Sequence, residues 1–417
     1  MLNVDGDAVL NDAGRTGSAK IKKGQAAVLA AGHLINDTYG GFIAPLLPYF
    51  VVRWGLSLAE AGILVTAFFT VANFAQLFFG WLTDRRGGRW FLSGGVFVAA
   101  IFLGSLGAAP SFGLAIPWVV IGAVGAAAFH PTAAALARRA GGSRGSLVTS
   151  IFLQSGFLGM ALGPLEILAV VERFGLESSY LSAAPGVLIA CLLFKCAGRP
   201  KDEPKARRES PPTLSAFVRT WPSLSTLWTV VVLRSVTNNA FAGFLPLLMV
   251  DRGVSKFMGG TALMVYLVAG AFGGLIGGYL GDRGNRRRLI CMSLFLGVVF
   301  LWGFLLAQGP LSLALLVVGG GFLMLSGPIN LVMAQELHPE RTGLVSSLMM
   351  GGAYGTGSLV LVAVGAVADQ VGMHATLAGV TAIGLIASSL SLRLPKENGP
   401  PRPVFADVEN PGPGLES

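Results

Sequence analysis

Gly32-His33-Leu34-Ile35-Asn36-Asp37-Thr38-Tyr39 sets an imidazole, a carboxamide, a carboxylate and a phenol inside an otherwise apolar run from about Gln25 to Val52. A carboxylate at the centre of a bilayer costs about 2.5–3.5 kcal/mol on insertion scales. Asp37 is therefore either strongly compensated or functional, and a carboxylate in that setting suits proton carriage, with His33 beside it. A second group lies far along the chain: Arg234, Asn238 and Asn239, again within an apolar run. Arg234 stays protonated and can attract an anionic head group. His130 and Gln154 are further polar residues in apolar surroundings. Together with Asn36, Tyr39, Arg234 and the two amides they form the candidate substrate set. Each is also compatible with a satisfied helix contact, and Asp37 and Arg234 with a bridge to each other.

The elements that must position these residues are long apolar segments. Of 417 residues, 53% are hydrophobic and only 12% charged, with a mean hydropathy of +0.68. A soluble domain carries about 25% charged residues. The chain reads as an all-α polytopic membrane protein; a β-barrel would show short alternating strands instead. The net charge of +9 comes from basic residues clustered in short loops, an orientation signal and not a nucleic-acid footprint. The cysteines, Cys191, Cys196 and Cys291, fall in apolar runs with neither disulfide nor zinc spacing. The first apolar run is longer than a signal-peptide core and is expected to be retained.

Twelve spans are expected, at 25–52, 57–82, 90–109, 113–137, 145–171, 178–197, 226–250, 256–281, 288–307, 311–336, 342–368 and 373–394, each near the 20 residues that cross hydrocarbon. Basic residues concentrate after spans 2, 4 and 8 (Arg85, Arg86, Arg89; Arg138, Arg139, Arg144; Arg283, Arg286, Arg287, Arg288) and in the middle segment. Alternate loops hold only Arg53, Arg173, Arg252 and Lys256, so both termini are expected in the cytoplasm. The expected division is an N-terminal tail (1–24), a six-helix bundle (25–197), a cytoplasmic linker (198–225) with an amphipathic piece at 214–221, a second bundle (226–394), and a disordered tail (395–417).

The two halves repeat. Gly80-x-x-x-Asp84-Arg85 recurs as Gly278-x-x-x-Asp282-Arg283, and Pro48, Gly55 and Ser57 recur as Pro246, Gly253 and Ser255, all at an offset of 198. Leu147-Val148-Thr149-Ser150 resembles Leu344-Val345-Ser346-Ser347 at 197. A parallel duplication of this kind is the internal symmetry of transporters that rock one half against the other.

Gly80 to Arg89 resembles the loop 2–3 signature of the major facilitator superfamily, with a degenerate copy from Gly278 to Arg287. Its glycine allows close helix contact, and Asp84 can cap a neighbouring helix N-terminus, expected to be span 11 near Thr342. A plain positive-inside loop is the blander reading. Family members often pair the arginine with an acid at the end of span 4, and here that end reads Ala137-Arg138-Arg139. Gly159-x-x-x-Gly163-Pro164 in span 5 resembles the motif of the superfamily's proton-coupled exporters, or is simply a packing face. The gating set is thus Gly80, Asp84, Arg85, Gly278, Asp282, Arg283, Gly159, Gly163 and Pro164.

His33-x-x-Asn36-Asp37, Phe129-His130-Pro131, Ser150 to Gln154, and Gln335 to Ser346 running into Gly351-x-Ala353-x-Gly355-x-Gly357 are similar to the fosmidomycin-resistance family of that superfamily, over about residues 25–394. The resemblance implies two pseudo-symmetric six-helix bundles and a monomer in the bacterial inner membrane. It also implies proton-driven efflux of small anionic or amphiphilic molecules such as phosphonate antibiotics, with no cofactor beyond the proton gradient. Uptake or export of another organic anion, a sugar phosphate or a siderophore is the alternative on the same scaffold. No enzyme is expected: the four histidines, His33, His130, His338 and His374, lie on different elements without ligand spacing, and no nucleophile–base pair or metal site is evident. The tails are too short for a signalling domain.

Overall fold

The computed structural model describes residues 21–86, 88–196, 214–338 and 342–395. The expected tails, most of the linker, and Pro339 to Arg341 lie outside them. Among the described residues the chain is helical, and ten helices are long and apolar enough to cross a membrane. The shorter apolar helix Trp90–Gly104 adds another crossing. The first crossing is split in two, α1 (Lys23–Gly40) and α2 (Ile43–Trp54). This yields the twelve spans. After twelve crossings the first and last described residues fall on one side, called here the terminus face; the opposite one is the far face.

The split in span 1 has a local cause. Pro45 has no N–H, and its ring clashes with the carbonyl four residues back, that of Gly41. The helix stops at Gly40 and restarts at Ile43. Gly41 occupies the break because a Cβ there would meet the Met160 carbonyl at 2.6 Å.

The remaining spans of the first half are α3 (Leu58–Arg86), α4 (Arg89–Gly104), α5 (Phe112–Ala140), α6 (Gly145–Phe174) and α7 (Ala183–Cys196). The second half comprises α8 (Leu214–Asp251), α9 (Lys256–Gly281), α10 (Arg286–Leu306) and α11 (Gly309–Leu337). Its last two spans are a broken helix and α15 (Met373–Ser391). The broken helix is α12 (Thr342–Ser347), a π-helical turn over Leu348–Gly352, α13 (Ala353–Ser358) and α14 (Leu361–Val371). α8 runs unbroken from Leu214, so the expected separate amphipathic piece at 214–221 is instead the first turns of span 7.

The duplication seen in sequence is structural. Gly55 and Gly253 both end a helix with positive φ, 65° and 78°, a conformation side chains with a Cβ disfavour. Ser57 and Ser255 then cap the next helix, each accepting from the backbone N–H three residues on, at 3.1 and 3.2 Å. Gly159 faces the Leu34 carbonyl, and Gly357 faces the Val232 carbonyl at 3.1 Å from an added Cβ. Both members of that second pair are offset by 198.

Within the halves, α1 packs on α6, α3 and α4 on α5, α9 and α10 on α11, and α8 on α15. Two seams join the halves: α3 against α13 and α14, and α6 against α9. The largest buried apolar cluster crosses from one half to the other, with Phe42, Leu46, Leu47 and Phe50 meeting Phe241, Phe244 and Leu248. A second cluster (Leu29, Leu92, Val96, Phe129, Phe152, Leu193) belongs to the first half alone. Large apolar side chains such as Leu188, Phe272, Ile276 and Ile386 face outward, as a lipid-facing surface requires.

At the far face, Asp369 at the end of α14 accepts from the Leu58 and Ala59 backbone N–H groups at 2.7 and 2.9 Å. A carboxylate from one half thus sits on the helix N-terminus of the other. Lys256 lies over the Tyr49 ring at 4.0 Å nearby in the chain order of that face. These contacts hold the halves together at the far end.

Candidate functional site

Asp37 is the centre of a buried polar cluster built by three helices of the first half. Its Oδ2 lies 3.2 Å from His33 Nε2, one turn earlier on α1. Its Oδ1 lies 3.4 Å from His130 Nε2 on α5 and accepts from Asn36 Nδ2 at 3.0 Å. On the far side of the His33 ring, Nδ1 is 2.6 Å from the Phe152 carbonyl of α6. The Phe152 ring stacks on His33 at 4.1 Å between centroids. Gly156 makes this possible: a Cβ there would collide with His33 Nε2 and Asp37 Oδ2.

Those contacts fix a proton count. A carbonyl only accepts, so His33 Nδ1 carries a hydrogen. The contact from Nε2 to Asp37 then needs a second proton, on the imidazole or on the carboxyl. The pair is imidazolium with carboxylate, or neutral imidazole with carboxylic acid. Either way His33 and Asp37 share one exchangeable proton, and His130 Nε2 faces the other carboxylate oxygen as a donor. The side chain of Asp37 is 16% exposed and that of His130 23%, so the cluster is not fully sealed.

The ligand atoms of His33, Asp37 and His130 lie within 4.8 Å of one another. The chain positions hide this convergence, since the histidines lack ligand spacing and only the α1–α5 packing unites them. A small cation would fit by size, but His33 Nδ1 and Asp37 are already committed to the hydrogen bonds above. The cluster is a hydrogen-bonded His–Asp–His group held between three helices.

The other residues expected to line a substrate path divide. Asn36 is fully buried and serves Asp37, also reaching the Ala126 carbonyl and His130 Nε2 at 3.5 Å each. Tyr39 does not join the cluster. It is 1% exposed, donates to the Ser182 carbonyl at 3.0 Å and accepts from Gly186 N at 2.8 Å. Two residues along a helix is about 200° of turn, so a neighbour of Asp37 in sequence points the opposite way. Gln154 is partly exposed on α6 and, among the described residues, makes no hydrogen bond to the cluster.

In the second half, Arg234 is buried, 1% exposed. It has no carboxylate within ion-pair distance among the described residues, and Asp37 is not its partner. Its Nη2 donates to the Tyr354 hydroxyl and its Nη1 to Met324 Sδ at 3.2 Å, while Nε is buried without an acceptor. The guanidinium carbon lies 5.1 Å from the Tyr354 ring centroid. Asn239 donates to Ser358 Oγ at 3.0 Å and Asn238 accepts from Tyr266 Oη at 3.1 Å. The two amides therefore tie α8 to its neighbours as much as they face a path. Tyr354, Met324, Tyr266, Phe152 and Asp369 were not anticipated. The aromatics are indistinguishable from core residues in sequence, and Met324 and Phe152 act through a sulfur and a backbone carbonyl.

The gating set is only partly described. The side chains of Asp84 and Arg85 lie outside the described residues. An added Cβ at Gly80 would meet nothing within 4 Å, and one at Gly278 only Pro328 at 3.9 Å, so neither glycine makes a close helix contact in this conformation. Asp282 follows α9 directly, and Arg283 lies over the Tyr279 ring at 3.9 Å. Gly159 and Gly163 do make the close contact expected, pressing α6 against α1 at the Leu34 and Thr38 carbonyls, and Pro164 packs at Gly41. The arginine–acid latch missing from span 4 exists in the second half. Arg286 Nη1 donates to Glu336 at 2.5 Å, at the end of α11.

Two six-helix bundles, joined along seams and each carrying a buried polar site, are the architecture of a membrane transporter. The sequence model of the Major Facilitator Superfamily matches residues 29–362, and the chain belongs to that superfamily. It is 27% identical over 382 residues to the fosmidomycin resistance protein of Escherichia coli K12, covering 87% of this chain and 90% of that one. It is 29% identical over 374 residues to the MFS-type transporter YfnC of Bacillus subtilis 168, covering 85% and 90%. Among solved structures, a bacterial homologue of the human lysosomal transporter Spinster, inward-facing and occupied, superposes with a TM-score of 0.72. That match has 15% identity and covers 90% of this chain and 97% of the other. The inward-open xylose transporter XylE of E. coli gives 0.71 at 13% identity, covering 91% and 97%. The chain is a multi-pass membrane transporter and not an enzyme.

Proposed function

We propose that the protein is a proton-coupled exporter of small anionic or amphiphilic molecules, phosphonate antibiotics of the fosmidomycin type among them. It would act in the bacterial inner membrane with both termini cytoplasmic. The observation that carries this reading is the division of labour between the halves. The first half buries a shared, exchangeable proton at Asp37; the second buries a fixed positive charge, Arg234, with no acidic partner.

An anionic head group supplies what Arg234 lacks. A charge left without a counter-ion at membrane depth is costly, so a ligand that supplies one binds with leverage. Protonation of the Asp37 cluster from the acidic side and release to the cytoplasm would drive the opposite movement of substrate. The similarity to the fosmidomycin resistance protein and the Gly159-x-x-x-Gly163-Pro164 packing of α6 on α1 favour export over uptake. Arg234→Ala should abolish equilibrium binding of methylphosphonate or fosmidomycin to the purified protein. Unchanged affinity in that variant would overturn the anion-site reading.

A further inference from the structure

We infer that Tyr354 is a displaceable placeholder: its hydroxyl occupies the seat of one oxygen of a two-oxygen anion that binds side-on to the Nε/Nη2 edge of Arg234. The inference rests on the anion-site reading above and names the edge, the residue that guards it and the ligand geometry.

The guanidinium has two usable faces. Its Nη1 end is spent on Met324 Sδ at 3.2 Å. Nε and Nη2 share the other edge. Nε is buried with no acceptor, and Nη2 has only the neutral Tyr354 hydroxyl. Carboxylate and phosphonate groups present two oxygens with the spacing of that edge, which is the geometry of bidentate arginine recognition. A hydroxyl satisfies one donor of the pair and cannot satisfy both. Arg234 is 1% exposed whereas Tyr354, which covers it, is partly exposed. A ligand reaching the guanidinium therefore meets the phenol first.

The duplication shows that Tyr354 has been placed there. In the first half the residue beside the polar site is Gly156, which has no side chain to set against Asp37 and His33 and lets the backbone pack directly on them. The structural pairing of Gly159 with Gly357 carries Gly156 onto Tyr354. In the stretch just before the π-helical turn the halves match at 197, as in Leu147 and Leu344; beyond it they match at 198, as they do earlier in the chain. A π-turn is a one-residue insertion, commonly found at functional sites. The insertion over Leu348–Gly352 turns the following residues by one position and brings the phenol onto the guanidinium. Tyr354 follows that turn by two residues, and its neighbours Gly351 and Gly355 touch Asn73, Leu77 and Phe74 of α3. Displacing the phenol would thus be felt at the seam between halves.

The test is binding of methylphosphonate to purified full-length protein, with neutral dimethyl methylphosphonate as control. Tyr354→Phe keeps the ring and removes the competing hydroxyl; affinity should rise about fivefold, the share of one hydrogen bond. Arg234→Lys keeps the charge and loses the fork; affinity should fall about tenfold or more. If Arg234→Lys binds weakly but Tyr354→Phe binds no better than the unaltered protein, the placeholder is overturned and the anion site stands. If Arg234→Lys and Arg234→Ala both bind normally, the proposed function itself fails. Should Tyr354→Phe not fold, the unaltered protein labelled with 3-fluorotyrosine at its six tyrosines serves instead. Methylphosphonate must then shift a fluorine resonance that the neutral ester leaves in place, and the absence of any shift overturns the placeholder.

Discussion

Asp37 is a carboxylate buried within a span of the first half, and its surroundings are shaped to hold it. Two imidazoles and an amide meet its oxygens, and Gly156 clears the space. Gly156→Ala should therefore act through the cluster. A methyl forced against His33 and Asp37 costs about 1–3 kcal/mol of overpacking. Gradient-driven transport should fall while methylphosphonate binding at Arg234 persists; a variant with unaltered transport would show that the contact is slack. The cost of Asp37 and Arg234 was legible from residue type and apolar context alone. Their partners were not. His33 and His130 are 97 positions apart, and nothing in either stretch announces the other. Tyr39 shows the converse error, since adjacency in sequence placed it with Asp37 and the helical turn points it to α7.

Helices set the next scale. The spans were legible because hydropathy over about 20 residues is a strong signal, and the repeat because Gly55, Ser57 and their counterparts recur where turn and cap chemistry demands them. The breaks were not. Pro45 splits span 1, and the π-turn and a second interruption split span 11, inside runs that are uniformly apolar or glycine-rich. Close packing of α6 on α1 depends on Gly159, whose Cβ would strike the Leu34 carbonyl. Gly159→Leu should prise these helices apart, lowering the thermal stability of the purified protein by several degrees through about 1–3 kcal/mol of strain; an unchanged melting point would place the contact outside the packed core. Asp369 works at an exposed helix end, where such a carboxylate contributes about 0.3–1 kcal/mol. Asp369→Asn should raise the accessibility of a cysteine placed at the far-face seam by about two- to fivefold. Equal labelling rates would show that the contact does not hold the seam.

At the scale of the molecule, two copies of one bundle carry different cargo. Position 37 is an acid in the first half and its counterpart at an offset of 198 is Ser235, next to Arg234. Beside them stand Gly156 and Tyr354, one packing bare backbone against its site and the other laying a phenol over it. The seams that join the halves keep their shared glycines and caps, while the polar layer has diverged into an Asp–His cluster and an arginine without a carboxylate partner among the described residues, the proton site and anion site of the proposed function. On the proposed function, rocking these halves would expose the two sites to the same face in turn, as exchange of a proton for an anion requires. The most direct measurement is uptake of fosmidomycin into inverted membrane vesicles with an acid interior, comparing the unaltered protein with Asp37→Asn. The account predicts accumulation driven by the pH gradient in the former, and in the latter none, with binding retained. Accumulation against a concentration gradient in Asp37→Asn vesicles would contradict it.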